Sequence, residues 1–372
     1  MSGVYDNWER LVEAVLKREQ FKQLAYCESL SSSISADFSS RFSFSSSLED
    51  FSASRISSDT IGPGVSSSYR VVQHIEFKEI KKATKNFQRN LIIGVGGRFG
   101  PVFKGWIDEH TLTASKAGSG MAVAVKIWNQ EDLQGHVQGR MKEIHDLSKL
   151  HHPNLARLIG YCNKEEDLIL VHEFMSKGSL DNHLFNRGQQ SLSWETRIKV
   201  SVGAARGLSF LHDREIQVIH REFKSSAILL DGEFNAKLSD FGLLIDVPTG
   251  NRTQVPTKVM PTYGYAAPEY IMKGHLTAKS NVYSFGVVLL ELLSGFRVMD
   301  ANGGREMQNL VEWAKPHLCD WRKLYHIMDA RLEDKYPHNA AYTVATLASY
   351  CLNLEPKERP QMAQVLVELE KL

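Results

Sequence analysis

The feature that most constrains this chain is a change of period near residue 175. Up to that point the globular part carries short β-branched, apolar runs broken by glycine: RNLIIGVGG, GPVFKGWI and MAVAVKIWN. Branched side chains pack well on a pleated surface and glycine marks the turns between strands, so these runs predict strands. A polar loop, IDEHTLTASKAGSG at 107–120, separates two of them, and IEFKEIKKATKNF and HVQGRMKEIHDLSKL have helical character. Beyond residue 178 the apolar residues recur at helical spacing, as in TRIKVSVGAARGLSFLHD and NVYSFGVVLLELLSG. Strands first and helices afterwards predict an α+β chain with two lobes. No internal repeat is visible.

Before residue 75 the pattern differs. Residues 6–26 read as an amphipathic helix, with Asp6 and Glu9 forming a capping box and Trp8, Leu11, Val12, Val15 and Leu16 at helical spacing. That helix either docks on the body of the protein or meets a partner or membrane surface. Residues 28–68 are close to half serine. Such a segment cannot bury enough apolar area to offset its ordering entropy and is expected to be a disordered linker. The expected organisation is therefore a helix over 1–27, a linker over 28–74 and a globular domain over 75–372.

Bulk properties exclude several classes. The net charge is +1, which gives no basis for nucleic-acid binding. Cys27, Cys162, Cys319 and Cys351 are widely spaced, which argues against a disulfide framework or zinc site and for a reducing cytosol. No stretch has the length of a membrane span, the start lacks a signal-peptide pattern, and Ser2 stands where myristoylation needs glycine. Cys27 is either an acylation site or a small apolar residue.

Several short motifs carry chemistry. GVGGRFGPVF (94–103) is a glycine-rich loop between strands, where the backbone can close over phosphates. Lys126 lies in the apolar strand VAVKIW, where an unpaired charge would be costly, and Glu143 in the following helix is its expected partner. His220-Arg221, Asp240-Phe241-Gly242 and Ala267-Pro268-Glu269 follow in order. Each is weak alone, but their order and spacing fit the protein-kinase set.

Long segments strengthen this reading. GPVFKGWIDEHTLTASKAGSGMAVAVKIWNQEDLQGH, HHPNLARLIGYC, VHEFMSKGSLDNHLF, PTYGYAAPEYIMKGHLTAKSNVYSFGVVLLELLSG and CLNLEPKERPQM resemble the plant receptor-like cytoplasmic kinases of subfamily VII. The resemblance spans about residues 75–372. It implies a bilobal Ser/Thr protein-kinase fold, with an N-lobe to about residue 172, a hinge at 173–175 and a C-lobe over 176–372. It also implies an ATP–magnesium cleft and signalling work, in immunity or development, beside receptor kinases or other signalling proteins. The expected location is cytoplasmic, with peripheral association at the inner face of the plasma membrane left open.

By position, the resemblance assigns Gly94, Gly96, Gly97, Gly100 and Val102 to the phosphate-covering loop. Lys126 and Glu143 become the phosphate-holding pair, and Ala124 and Leu229 the walls around adenine. Glu173 to Met175 form the hinge, with His172 gating the back pocket where the family usually has Tyr. Asp240 would hold magnesium, and Lys224 would reach the γ-phosphate or substrate. Glu269 and Arg359 would pair to brace the large lobe. Arg221 remains to receive a phosphate on the activation segment, where Thr253, Thr257 and Thr262 are candidates; Pro256 stands where the family commonly has Ser.

The departures cluster around the reaction centre. In HREFKSSAILL, Glu222 replaces the catalytic Asp and carries its oxygens roughly 1 Å further out, a displacement that can cost about a hundredfold in rate. Ala227 replaces the Asn that ligates a second magnesium, and a methyl cannot coordinate a hard cation. Asn281 replaces an Asp that accepts hydrogen bonds from the catalytic loop, and a neutral amide accepts more weakly. Pro261 replaces a Gly in the peptide-docking segment, and Arg98 is an extra residue in the glycine loop. These changes predict a pseudokinase that binds nucleotide; a weak Ser/Thr kinase using one magnesium and Glu222 is the alternative.

Overall fold

A computed structural model of the chain describes residues 72–95, 100–128, 144–145, 147–164, 167–186, 188, 190–214, 217–240, 244–247, 255–256, 262–299 and 309–372. The predicted 6–26 helix, the serine-rich segment and Cys27 lie outside them. So do Gly96, Gly97, Arg98, Glu143, Thr253, Thr257 and Pro261. The unit that follows Ser68 carries all of the described residues.

The N-lobe is a curled sheet built from β1 (Gln73–His74), β2 (Ile92–Val95), β3 (Pro101–Ile107), β4 (Met121–Trp128), β5 (Leu158–Lys164) and β6 (Asp167–Glu173). Their order is β1-β5-β6-β4-β3-β2, with β1 parallel to β5 and the other neighbours antiparallel. Helix α1 (Phe77–Ala83) buries Ile80 and Ala83 against one face. All three predicted strand runs and the predicted 107–120 loop appear here.

Period-two alternation decides what faces the cleft. On β4, Val123 and Val125 are buried in the N-lobe core with Phe103, Cys162, Ile169 and Val171. The intervening Ala124 and Lys126 must therefore point to the opposite face. On β6, Ile169 and Val171 join that core, while Leu168 and Leu170 belong to the cluster that continues into the C-lobe. One sheet thus closes its own core and roofs the large lobe.

The C-lobe is mainly helical. β7 (Gly178–Ser179) and α2 (Leu180–Phe185) lead into α3 (Trp194–His212). β8 (Gln217–His220), β9 (Ile228–Leu230), β10 (Ala236–Leu238) and β11 (Leu244–Val247) follow, and then β12 (Val255–Pro256), α4 (Pro268–Lys273) and β13 (His275–Leu276). Helices α5 (Ala278–Ser294), α6 (Leu310–Leu318), α7 (His338–Cys351) and α8 (Met362–Leu369) complete it. Among the described residues no helix is long and apolar enough to cross a membrane.

Helix α5 is the hydrophobic axis. Every residue from Ser280 to Ser294 is buried. Its start is fixed by a capping box between Thr277 and Ser280, which satisfies two orphan amides. It ends at Gly295 in the left-handed region (φ 65°), where a Cβ would come within 2.3 Å of the Asp329 carboxylate. That carboxylate holds the fully buried Arg197 at 2.5 Å.

The expected Glu269–Arg359 brace is present and bidentate, at 2.7 and 2.8 Å. The Arg359 side chain is 0% exposed and also donates to the carbonyls of Asn353 and Lys279. Removing one member of a buried pair leaves the other charge uncompensated, at about 3–5 kcal/mol. Glu269→Ala should therefore lower stability by that amount in denaturant unfolding. A loss below about 1 kcal/mol, the range of a surface pair, would contradict it.

Candidate active site

The catalytic loop is held between two short strands. β8 pairs with β11, placing His220 opposite Leu244, and β9 pairs with β10 and β7. Between them, residues 221–224 turn and Ser225–Ala227 form one 3₁₀ turn. His220 is fully buried and its Nε2 lies 2.7 Å from the Ser239 carbonyl, so that nitrogen carries the proton. Burial holds the His220 imidazole below its usual pKa.

Lys126 and Asp240 meet across the cleft in an ion pair and hydrogen bond. Asp240 has φ 65°, in the left-handed region that few non-glycine residues adopt, with Asp among those that do. Burial pushes the Asp240 carboxyl up, but the Lys126 ammonium and its hydrogen bond, with His220 and Lys224 nearby, outweigh this and hold it below the usual range. Asp240 is therefore an anion at neutral pH. His172, behind the pair on β6, is brought down to about 3 by burial first and by Lys126 second. It is a neutral imidazole.

The residues assigned to adenine and hinge come from β4, from β6 and the segment after it, and from β9. Ala124 on β4 lies beside His172 of β6 in the ladder, and Val102 on β3 is opposite Lys126. Glu173 ends β6; its carboxylate accepts from the Arg157 N–H at 2.8 Å and from Lys237 Nζ at 2.8 Å. Met175 is buried and its carbonyl accepts from the Gly178 N–H. Leu229 lies on β9, half-buried. Gly94 is exposed on β2, and a Cβ there would meet nothing within 4 Å. Gly100 adjoins the start of β3.

The departures from the family pattern have definite surroundings. Glu222 Oε2 accepts from Lys224 Nζ at 3.2 Å, and Lys224 also donates to Thr262 Oγ1 at 3.2 Å. The Lys expected to face a phosphate or substrate is thus engaged by the substituted carboxylate and by a phosphorylation candidate. Ala227 is 0% exposed, and its carbonyl accepts from both the N–H and the Oγ–H of Ser239, at 2.8 and 3.1 Å. Neither its side chain nor its carbonyl offers an oxygen to a cation. Among the described residues no cluster of three or more His, Cys, Asp or Glu could hold a metal. Among the described residues, Lys126 and Lys224 supply the positive charge that phosphates would meet, and Asp240 is the carboxylate that would hold a cation.

Asn281 does more than the sequence suggests. Its Oδ1 accepts the His220 N–H at 2.9 Å, and its Nδ2 donates to the His220 carbonyl at 2.6 Å. A second buried ring, His212, places Nε2 3.2 Å from Oδ1. The His220 carbonyl faces an amide that can donate to it; a carboxylate could not. The expected acceptor role is present, and the donor contact beside it makes a two-way clamp.

Sequence reasoning also missed a network beneath the loop. Glu291 of α5 is 0% exposed; its Oε1 accepts from the Tyr265 hydroxyl at 2.7 Å and the Val298 N–H at 3.1 Å. Tyr265 in turn lies 3.0 Å from Ser225 Oγ, in the catalytic loop. A lone Glu inside the apolar run VVLLELLSG was the available signal, since a charge there needs a partner.

Comparison with known proteins agrees with the geometry. The family model "Protein tyrosine and serine/threonine kinase" matches residues 89–369. The chain belongs to the protein kinase family. It is 58% identical over 296 residues to "Probable serine/threonine-protein kinase PBL3" of Arabidopsis thaliana, covering 80% of this chain and 69% of that one. It is 53% identical over 303 residues to "Receptor-like cytoplasmic kinase 176" of Oryza sativa subsp. japonica, covering 81% and 76%. The kinase domain is thus a receptor-like cytoplasmic kinase homologue, of a family that in general uses ATP and magnesium.

Two outcomes follow. Asn281→Asp, which restores the family's residue, should destabilise the kinase domain by about 1–3 kcal/mol, because a carboxylate would face the His220 carbonyl; unchanged or raised stability in urea unfolding would refute the clamp. Burial raises the Glu291 carboxyl from 4.5 to about 7. A group raised on folding stabilises fully below its unfolded pKa and loses that contribution as pH rises toward its folded pKa. The thermal midpoint of wild type relative to Glu291→Gln should fall between about pH 4.5 and about pH 7 and be flat on either side. Parallel pH profiles would refute it.

Proposed function

We propose that this chain is a pseudokinase: a receptor-like cytoplasmic kinase homologue that binds nucleotide, transfers phosphate poorly, and works as a scaffold, decoy or allosteric partner. The observation that carries this reading is the pair of substitutions in the catalytic loop. Glu222, the longer acid in place of the catalytic Asp, pairs with Lys224. Ala227 supplies no oxygen where the family has a metal ligand. The nucleotide-holding residues in this proposal are Gly94, Gly96, Gly97, Gly100, Val102, Ala124, Lys126, Glu143, Glu173, Met175 and Leu229. Asp240 is the remaining cation-facing carboxylate, and Arg221, Glu222 and Lys224 are the altered catalytic set.

In the family, ATP with magnesium supplies the transferable phosphoryl group. Here Lys126 would neutralise phosphate charge, Asp240 would orient that lysine, and His172 would line the back of the cleft as a neutral ring. The partners proposed are receptor kinases or other signalling proteins in plant immunity or development. The setting is cytoplasmic, with contact at the inner face of the plasma membrane through a receptor or Cys27. The helix over 1–27 and linker over 28–74 would serve as tether. Thr262 is the activation-segment candidate within hydrogen-bond reach of Lys224, with Thr253 and Thr257 upstream.

One observation favours the second reading, a weakly active Ser/Thr kinase. Asp240 keeps a left-handed backbone and its contact with Lys126, so a single-cation centre retains its carboxylate. Transfer of labelled γ-phosphate by the full chain separates the two. Loss of a positioned base costs about 10²–10⁴-fold, so wild type should stay at least about a hundredfold below the ~1 s⁻¹ of a slow ordinary kinase. Glu222→Asp with Ala227→Asn should gain more than the product of the single gains, because both act on one transition state. Turnover of about 1 s⁻¹ by wild type would overturn the pseudokinase reading.

A further inference from the structure

Three features of the cleft bear on which form of nucleotide it takes. First, Asp240 is already paired with Lys126. Second, Glu222 is already paired with Lys224 at 3.2 Å. Third, Ala227 is fully buried, and Ser239 occupies its carbonyl through both N–H and hydroxyl. Asp240 and Glu222 thus each carry a lysine of their own, and the third position has no oxygen to give.

A divalent cation strengthens nucleotide binding when it bridges phosphate oxygens to protein oxygens. Magnesium demands near-octahedral oxygen coordination and gives up its waters reluctantly. In this cleft the bridge would have to end on Asp240, at the expense of the Lys126 contact, and the Ala227 position offers no second oxygen to offset that loss. The phosphates already have compact cationic partners: each ammonium carries three donors, and a lysine can hold a carboxylate and a phosphate together. His172 adds no positive charge at neutral pH, so the two lysines supply the countercharge on this side of the cleft.

We infer that the cleft takes a nucleoside triphosphate in its metal-free form, held by Lys126 and Lys224, and that a divalent cation contributes nothing to its affinity. This rests on the nucleotide-binding reading above and narrows it to a ligand state. Ala227 is the residue that sets the state, since an Asn there would return an oxygen to the site.

Isothermal titration of ATP into the full chain, once with EDTA and once with excess magnesium, tests the inference. The expected result is a Kd in EDTA equal to that in magnesium within about threefold, or tighter, against the tenfold that marks a substantial contact. Lys126→Met should abolish binding under both conditions. Ala227→Asn should shift the ratio about tenfold or more toward magnesium; its fold is checked by circular dichroism, and the wild-type comparison stands if that variant does not fold. Binding at least about tenfold tighter with magnesium in wild type would overturn the inference and leave the nucleotide reading intact. No binding under either condition, or binding unchanged in Lys126→Met, would overturn both.

Discussion

Helix α5 is buried on every side, so each polar group it carries must find its partner within the protein. Much of the site depends on that constraint. Asn281 grips both backbone groups of His220 and so sets where the catalytic loop begins. Ser284 donates to the Tyr265 carbonyl, and Glu291 accepts from the Tyr265 hydroxyl, so the segment before Ala267-Pro268-Glu269 is held at two points. The Lys279 carbonyl, in the first turn of the helix, accepts from Arg359, joining the axis to the Glu269 brace. An apolar rod with a few obligatory polar contacts thereby orients segments that are distant in sequence.

The cleft above this axis is organised by two lysine–carboxylate pairs of different origin. Lys126–Asp240 joins the two lobes, with the lysine delivered by strand alternation on β4 and the carboxylate by a left-handed residue after β10. Lys224–Glu222 is local, formed within one turn between residues two apart. The first pair preserves the charge arrangement of a kinase cleft. The second ties Glu222 to Lys224, while the Thr262 hydroxyl takes another of the lysine's donors.

Much of this was legible in the sequence for particular reasons. β-branched runs with glycine punctuation gave β2, β3 and β4, and helical apolar spacing gave α3 and α5, because burial imposes those periods directly. Lys126 stood out as a charge in an apolar strand. The Glu269–Arg359 pair followed from the family resemblance. What could not be read was partner choice. The sequence showed Asn281 and suggested a weaker acceptor; only the orientation of the His220 carbonyl reveals that it donates as well. Likewise Ala227 signalled a missing side chain, but the capture of its carbonyl by Ser239 depends on how two turns meet. Glu291 was visible as an anomaly in an apolar run, yet its partner lies 26 residues away across a fold.

The clamp at Asn281 also couples a side chain to the backbone it holds. An amide that donates and accepts at once is matched to one orientation of the peptide it holds, and a carboxylate to another. Exchange between them is a coupled event: side chain and peptide must turn together. The Asn281 side chain and the 220–221 peptide therefore form one unit, and substitutions that act on either should have non-additive effects on the loop.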